Sequence, residues 1–337
     1  MRNLVRRLRS HEVRHQEIDR TEEAIVNKRE VVLSLLDDAR VPDYVPAAFF
    51  IHFPQEYHRG RAAIDKHLAY FRYTGMDFVK IQYESPFPRR PEIQSPDDWS
   101  GMPRYGRAFF QDQLEIVEGL VSAVRGEALV LQTLYSPFMS AGHTTSDQAI
   151  TEHMQTAPEK VKVGLEIITE SILWFVRECV VRGLDGFYAS TQGGEQGRFE
   201  DPAMFEEVVK PYDLAVMNEI DGTCPFNILH ICDYEAPYDD LTPFLDYPGD
   251  VVNCPLHVGS RVMTPREAAR LFARPYMGGL DRHGAIAYGS EEEIRAAVQD
   301  VLRNAPERYI LGADCTLPSD IDWDNIRTAI AAAHAYS

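Results

Sequence analysis

Phe226-Asn227-Ile228-Leu229-His230-Ile231-Cys232 is an apolar run carrying two reactive side chains set two positions apart. Its length and apolar content read as a strand buried on both faces, the kind a parallel sheet requires. Seven further runs of this type stand at 47–52, 78–83, 129–134, 186–190, 251–255, 276–280 and 309–313. Amphipathic stretches of helical period separate or follow them, at about 61–74, 108–125, 158–182, 202–220, 237–245, 265–273, 290–304 and 323–335. Helix starts are marked. Asp201-Pro202 supplies a cap and a first-turn proline, and Thr264-Pro265-Arg266-Glu267 and Ser290-Glu291-Glu292-Glu293 have capping-box spacing. Strands alternating with helices imply a parallel sheet. Eight such units in about 290 residues fit an α/β (β/α)8 TIM barrel. A doubly wound open sheet competes, but no Gly-x-Gly-x-x-Gly follows the first strand, which weakens its dinucleotide-binding form.

Ahead of the barrel, expected over 45–337, residues 1–44 read as a helical extension with an apolar stripe of Ile25, Val31, Val32, Leu35 and Leu36 on a helix at about 21–38. Pro42 and Pro46 make the junction. The segment from Glu84 to Arg107 holds five prolines and reads as a substrate wall or lid, or equally as a plain surface excursion.

The 337 residues, 45% of them hydrophobic, are ample for a full core. A formal net charge of −18 disfavours nucleic acid and anionic membranes as partners, while leaving room for a local basic pocket. No uninterrupted apolar stretch reaches the ~18 residues of a membrane span. The basic N-terminus lacks the apolar core of a signal peptide. Five cysteines, Cys179, Cys224, Cys232, Cys254 and Cys315, are an odd number without a secretion signal, which argues for reduced thiols in a cytoplasm.

Side chains two apart on a strand point to the same side, so His230 and Cys232 face one space. Cys315 follows the run Tyr309-Ile310-Leu311-Gly312-Ala313. One imidazole and two thiolates suit zinc and leave a coordination position open. Against this stands the common buried cysteine that acts as a small hydrophobe. Barrel enzymes draw reactive groups from the C-terminal strand ends, and here that rim is crowded. Glu84, Glu195 and His257 are the candidates there for a general base or a fourth ligand, with Asp314 beside them. Arg59 and Arg61 could clamp substrate carboxylates. Tyr135, Gln192 and Arg282 are the other expected substrate contacts, and Gln192-Gly193-Gly194-Glu195 could bring backbone amides to an anion, although it serves equally as a plain turn. The reach of Cys315 across the mouth, from a strand not adjacent to that of His230, is the demanding part of this geometry.

From Phe187 onward the chain resembles the uroporphyrinogen decarboxylase superfamily of (β/α)8 enzymes. The resemblance is carried by Phe187-Tyr188-Ala189-Ser190-Thr191-Gln192-Gly193-Gly194, by Ile228-Leu229-His230-Ile231-Cys232, by Gly278-Gly279-Leu280-Asp281 and by 309–318, together with the turn Tyr135-Ser136-Pro137-Phe138. It implies one of two chemistries. One branch decarboxylates porphyrinogen acetate arms without a cofactor. The other uses zinc to move methyl groups between a corrinoid protein and a thiol or folate acceptor, and its His-x-Cys…Cys motif matches His230, Cys232 and Cys315. The decarboxylase signature around Gln-Ala-Gly-Arg-Tyr is absent, the nearest counterpart being 52–61. The resemblance therefore implies a zinc methyltransferase, served by a methylcorrinoid on a partner protein and a small-molecule methyl donor or acceptor. A metal-independent decarboxylase of a polycarboxylate is the alternative, and a non-catalytic corrinoid-docking subunit a second. Barrels of this type often pair, so a homodimer is compatible with it.

Overall fold

The computed structural model describes residues 27–40, 42, 44–82 and 86–336. Seven parallel strands form one sheet in the order β1 (Phe78–Ile81), β2 (Leu129–Tyr135), β3 (Gly186–Thr191), β4 (Ile228–Ile231), β5 (Val251–Asn253), β8 (Tyr276–Leu280) and β9 (Tyr309–Ala313). A separate hairpin, β6 (His257–Val258) with β7 (Arg261–Val262), interrupts the alternation after β5. Neighbours in the sheet follow the chain order apart from that hairpin, as βαβ connections demand. Helices cover the strands, chiefly α2 (Gly60–Thr74), α3 (Arg107–Val124), α6 (Pro158–Val181), α7 (Lys210–Asp221), α8 (Pro265–Phe272), α10 (Glu291–Arg303) and α11 (Trp323–His334). β1, β3, β4 and β9 are buried along their whole length, which explains their uninterrupted apolar runs. Gly186 opens β3 because nothing larger fits: a Cβ there would stand 1.6 Å from the Phe226 carbonyl oxygen.

The expected first strand, 47–52, does not form a ladder. Ala47 makes a single parallel bridge to Leu311. The segment nonetheless bonds to both edges of the sheet: Ala48 N–H donates to Leu311, Leu311 N–H to Pro46, and Asp77 N–H, just before β1, to Ala47. Among the described residues the regular sheet thus has seven strands, not eight.

Other elements also differ from the sequence reading. The expected helix at 237–245 is one 3₁₀ turn, Thr242–Phe244, because Pro243 cannot donate within a longer helix. Over 136–157, where periodicity gives no helix, α4 (Pro137–Thr144) and α5 (Asp147–Thr156) form. Ser136 caps α4 by accepting from Met139 N–H, and Pro137 occupies the first turn. Both capping boxes, Thr264 with Glu267 and Ser290 with Glu293, are formed.

Of the expected extension, residues 1–26 lie outside the described part. α1 (Lys28–Ser34) buries Val32 in the main core and holds the N-terminal side of the sheet through Arg29, 2.6 Å from Asp185. The proline-rich segment after β1 packs down: Trp99 is fully buried against Gly164 of α6 and donates to His153 Nδ1 at 3.0 Å. Among the described residues no helix is long and apolar enough to cross a membrane.

Candidate metal centre

His230 lies on β4 beside Ser190 of β3, and Ser190 beside Tyr135 of β2, so these three positions share one level of the sheet. Cys232 follows β4 directly, its N–H donating to the Thr191 carbonyl at 3.0 Å. Cys315 comes from the loop after β9. The Cys315 sulfur stands 4.0 Å from the Cys232 sulfur and 3.6 Å from His230 Nε2, and the three ligand atoms fall within 4.8 Å of one another. All three residues are buried.

What carries Cys315 across the mouth is a brace of ion pairs. Asp314 N–H donates to Leu280 of β8, and Asp314 Oδ1 accepts from the backbone of both Arg282 and Cys315. The Arg282 guanidinium, through Nη1, meets Asp314 Oδ2 at 2.9 Å and Asp233 Oδ1 at 2.8 Å. Asp233 follows Cys232 and Asp314 precedes Cys315, so one arginine ties together the two sulfur-bearing loops. Burial works against its charge, but Asp314 and Asp233 hold the guanidinium pKa above its ordinary value. Burial in turn lifts the Asp314 carboxyl above the usual range despite Arg282.

The two sulfurs lie within hydrogen-bonding distance, and that contact drives the Cys315 pKa down, with further help from His230, and the Cys232 pKa up. Gln192 Nε2 reaches Cys232 Sγ at 3.6 Å. The Tyr188 ring lies 4.9 Å from the His230 ring at 30°, and its hydroxyl is fixed by Asn253 at 2.6 Å. His230 Nδ1 is buried and has no partner among the described residues.

A cavity of about 530 Å³ opens beside this cluster. Tyr135, Gln192 and Arg282 line it with the three candidate ligands, as do His52, Lys80, Gln82, His143 and Tyr188. Met139 and Tyr135 pack against the two cysteines. The other expected residues fall elsewhere. Glu195 is buried but turned away: its Oε2 accepts from Gly193 N–H and from Arg198 Nε, both at 2.9 Å, which closes the Gly193-Gly194 turn. His257 is exposed on β6. Arg59 is exposed and pairs with Asp112, and Arg61 pairs with Asp65. Neither arginine lines the cavity. Glu84 lies outside the described residues.

Lys80, Tyr188 and His143 are cavity residues that the sequence does not single out. Lys80 is held over the Phe50 and Tyr188 rings, at 4.3 and 4.5 Å, and donates to Gln82 at 2.8 Å. Its signal was a lysine inside a fully apolar strand, an arrangement that needs a paired or otherwise stabilised charge.

Comparison with known proteins identifies the family and the fold. The family model described as uroporphyrinogen decarboxylase (URO-D) matches residues 68–336. A curated uroporphyrinogen decarboxylase from Aquifex aeolicus is 23% identical over 197 residues, 58% of this chain. That match spans 55% of the relative's length. A methyltransferase from Methanosarcina mazei superposes with a TM-score of 0.71 at 15% identity, over 91% of this chain and 98% of that one. A B12-independent methionine synthase from Shewanella sp. W3-18-1 superposes with a TM-score of 0.53 at 14% identity, over 86% of this chain and 95% of that one. At these identities the solved structures establish the fold. The matched span of the family model covers most of the sequence, including all seven strands of the sheet, and the chain belongs to the uroporphyrinogen decarboxylase family.

Proposed function

We propose that this chain is a zinc-dependent methyltransferase of the family, moving a methyl group between a corrinoid on a partner protein and a thiol or folate acceptor. The observation that carries the reading is the His230, Cys232, Cys315 donor set. Tetrahedral zinc with ~2.3 Å bonds to sulfur and ~2.0 Å to nitrogen needs about 3.8 Å between sulfurs and about 3.5 Å between sulfur and nitrogen. The 4.0 and 3.6 Å separations match two edges of that tetrahedron, and all three ligand atoms lie within 4.8 Å of one another. When bound there, zinc supplies a Lewis acid with a fourth position for substrate.

The chain's own groups complete the site. Gln192 hydrogen-bonds one sulfur, Tyr188 covers the imidazole, and Arg282 sets the separation of the two loops. Tyr135 and Gln192 are the substrate contacts in this reading, and Met139 keeps the sulfur side dry. The segment 46–53 takes the place of the eighth barrel strand. The compartment is a reducing cytoplasm, consistent with five free cysteines. Decarboxylation of a polycarboxylate has less support: Arg59 and Arg61 stand outside the cavity and Arg282 is already shared by two carboxylates.

The deciding experiment measures zinc per chain and methylation of a thiol by methylcobalamin. One zinc and a methylated thiol support the reading. Folded, metal-free protein that decarboxylates uroporphyrinogen contradicts it.

A further inference from the structure

The rim of the sheet opposite the metal centre holds a second cavity, of about 520 Å³. Pro275 and Arg308, which stand directly before β8 and β9, line it, whereas the metal-bearing loops follow the C-terminal ends of β4 and β9. Arg266 and Arg270 of α8 and Arg274 just after it bring the guanidinium groups in the lining to four. Exposed Glu307 is its one carboxylate. In a chain with 52 acidic residues against 34 Lys and Arg, this concentration runs against the overall balance.

Three of the four have no carboxylate partner among the described residues; Arg308 alone meets one, Asp38. Arg266 donates to the Ala305 carbonyl at 2.9 Å, and Arg274 to the carbonyls of Tyr247 and Gly249 at 2.9 and 2.8 Å. These bonds place both groups without cancelling their charge. Arg270 is exposed and has no hydrogen bond or ion pair among the described residues. Exposed arginines elsewhere, such as Arg104, Arg177 and Arg295, each meet a carboxylate.

The fold gains little from this arrangement. Arg270 suits the last turn of α8, but Arg266 sits in the first turn, where the helix dipole disfavours a cation. The two are four positions apart on the same helix face and repel each other. Burial lowers the Arg274 pKa, with Asp250 and Asp221 offsetting only part of the effect. Like charges kept together against local electrostatics point to a ligand of the opposite sign.

We propose that this cavity binds the phosphate group of a small phosphorylated molecule. Guanidinium groups recognise phosphate through paired N–H donors and keep their charge throughout the physiological pH range. The net charge of −18 repels nucleic acids and anionic membranes as a whole, but a small dianion within a Debye length of about 8 Å meets the local arginines first. The cavity also has the size of a small-molecule site, roughly 300–1,000 Å³. Its place on the rim away from the mouth lets such a ligand bind without displacing the substrate.

The test is a calorimetric titration of the zinc-loaded full chain with phenyl phosphate, at about pH 8, where the phosphate is a dianion, and about 0.1 M ionic strength. Wild type is expected to bind it with a Kd below about 1 mM. The double variant Arg266→Gln with Arg270→Gln, its folding checked by circular dichroism, should bind at least about 10-fold more weakly. Inorganic phosphate should compete, and acetate at equal ionic strength should not. Cys232→Ser should leave the Kd unchanged. No binding by wild type, undiminished affinity in the folded double variant, equal competition by acetate, or loss of binding in Cys232→Ser overturns the proposal, the last by placing the anion at the metal centre.

Discussion

Cys232 and Cys315 are 83 positions apart in the chain, and their sulfurs stand 4.0 Å from each other. Neither strand ladder joins them, since β4 and β9 are not neighbours in the sheet. The contact is made by loops, and its geometry is that of a ligand pair.

Replacing one sulfur should therefore remove the metal and spare the fold. Cys232→Ser is expected to lower zinc affinity at least about 100-fold, because a hydroxyl is a poor ligand for this ion. Competition with a chromophoric chelator measures it, with circular dichroism as the control for folding. Undiminished affinity would mean that the sulfur is not a ligand.

Arg282 makes a second prediction. Its guanidinium joins Asp233 to Asp314, and these flank the two cysteines. Arg282→Met should weaken metal binding about 10–100-fold through loss of loop placement, as is usual for groups supporting a ligand shell. Arg282→Lys should recover only part of it, since one ammonium cannot reproduce the planar fork. If Arg282 serves instead as a substrate clamp, zinc affinity will stay constant and only KM will rise.

Much of this was legible in the chain. The period-two relation of His230 and Cys232 puts them on one side of a strand whatever the tertiary structure. The alternation of apolar and amphipathic runs gives the parallel sheet. The remainder was hidden for physical reasons. In strands buried on both faces no polar alternation marks the inward side, so Tyr188 gives no sign of facing the cavity, and Lys80 shows only as a charge inside an apolar run. Glu195 follows a strand end as a catalytic acid would, but Arg198, three residues on, claims its carboxylate. His257 is lifted away by a hairpin that local sequence does not announce, and Arg59 turns out to face Asp112 of α3.

Asp213, on α7, gives a pH signature. It is fully buried, accepts from the Thr191 hydroxyl at 2.5 Å and the Tyr247 hydroxyl at 3.2 Å, and burial pushes its pKa from 3.8 up to about 7. Between these values the folded chain holds a proton that the unfolded chain has lost. Stability must therefore fall as pH rises from about 4 to about 7, by on the order of 4 kcal/mol from this group alone. Thermal melts across that range should show the decline in wild type and a flatter profile in Asp213→Asn. Parallel profiles would mean that Asp213 is ionised in the native state.

The most direct measurement is X-ray absorption at the zinc edge of the loaded protein. Two sulfurs at about 2.3 Å and one imidazole nitrogen at about 2.0 Å, with one lighter or exchangeable neighbour, is the predicted shell. A shell of nitrogen and oxygen alone, unchanged in Cys232→Ser and Cys315→Ser, would contradict it.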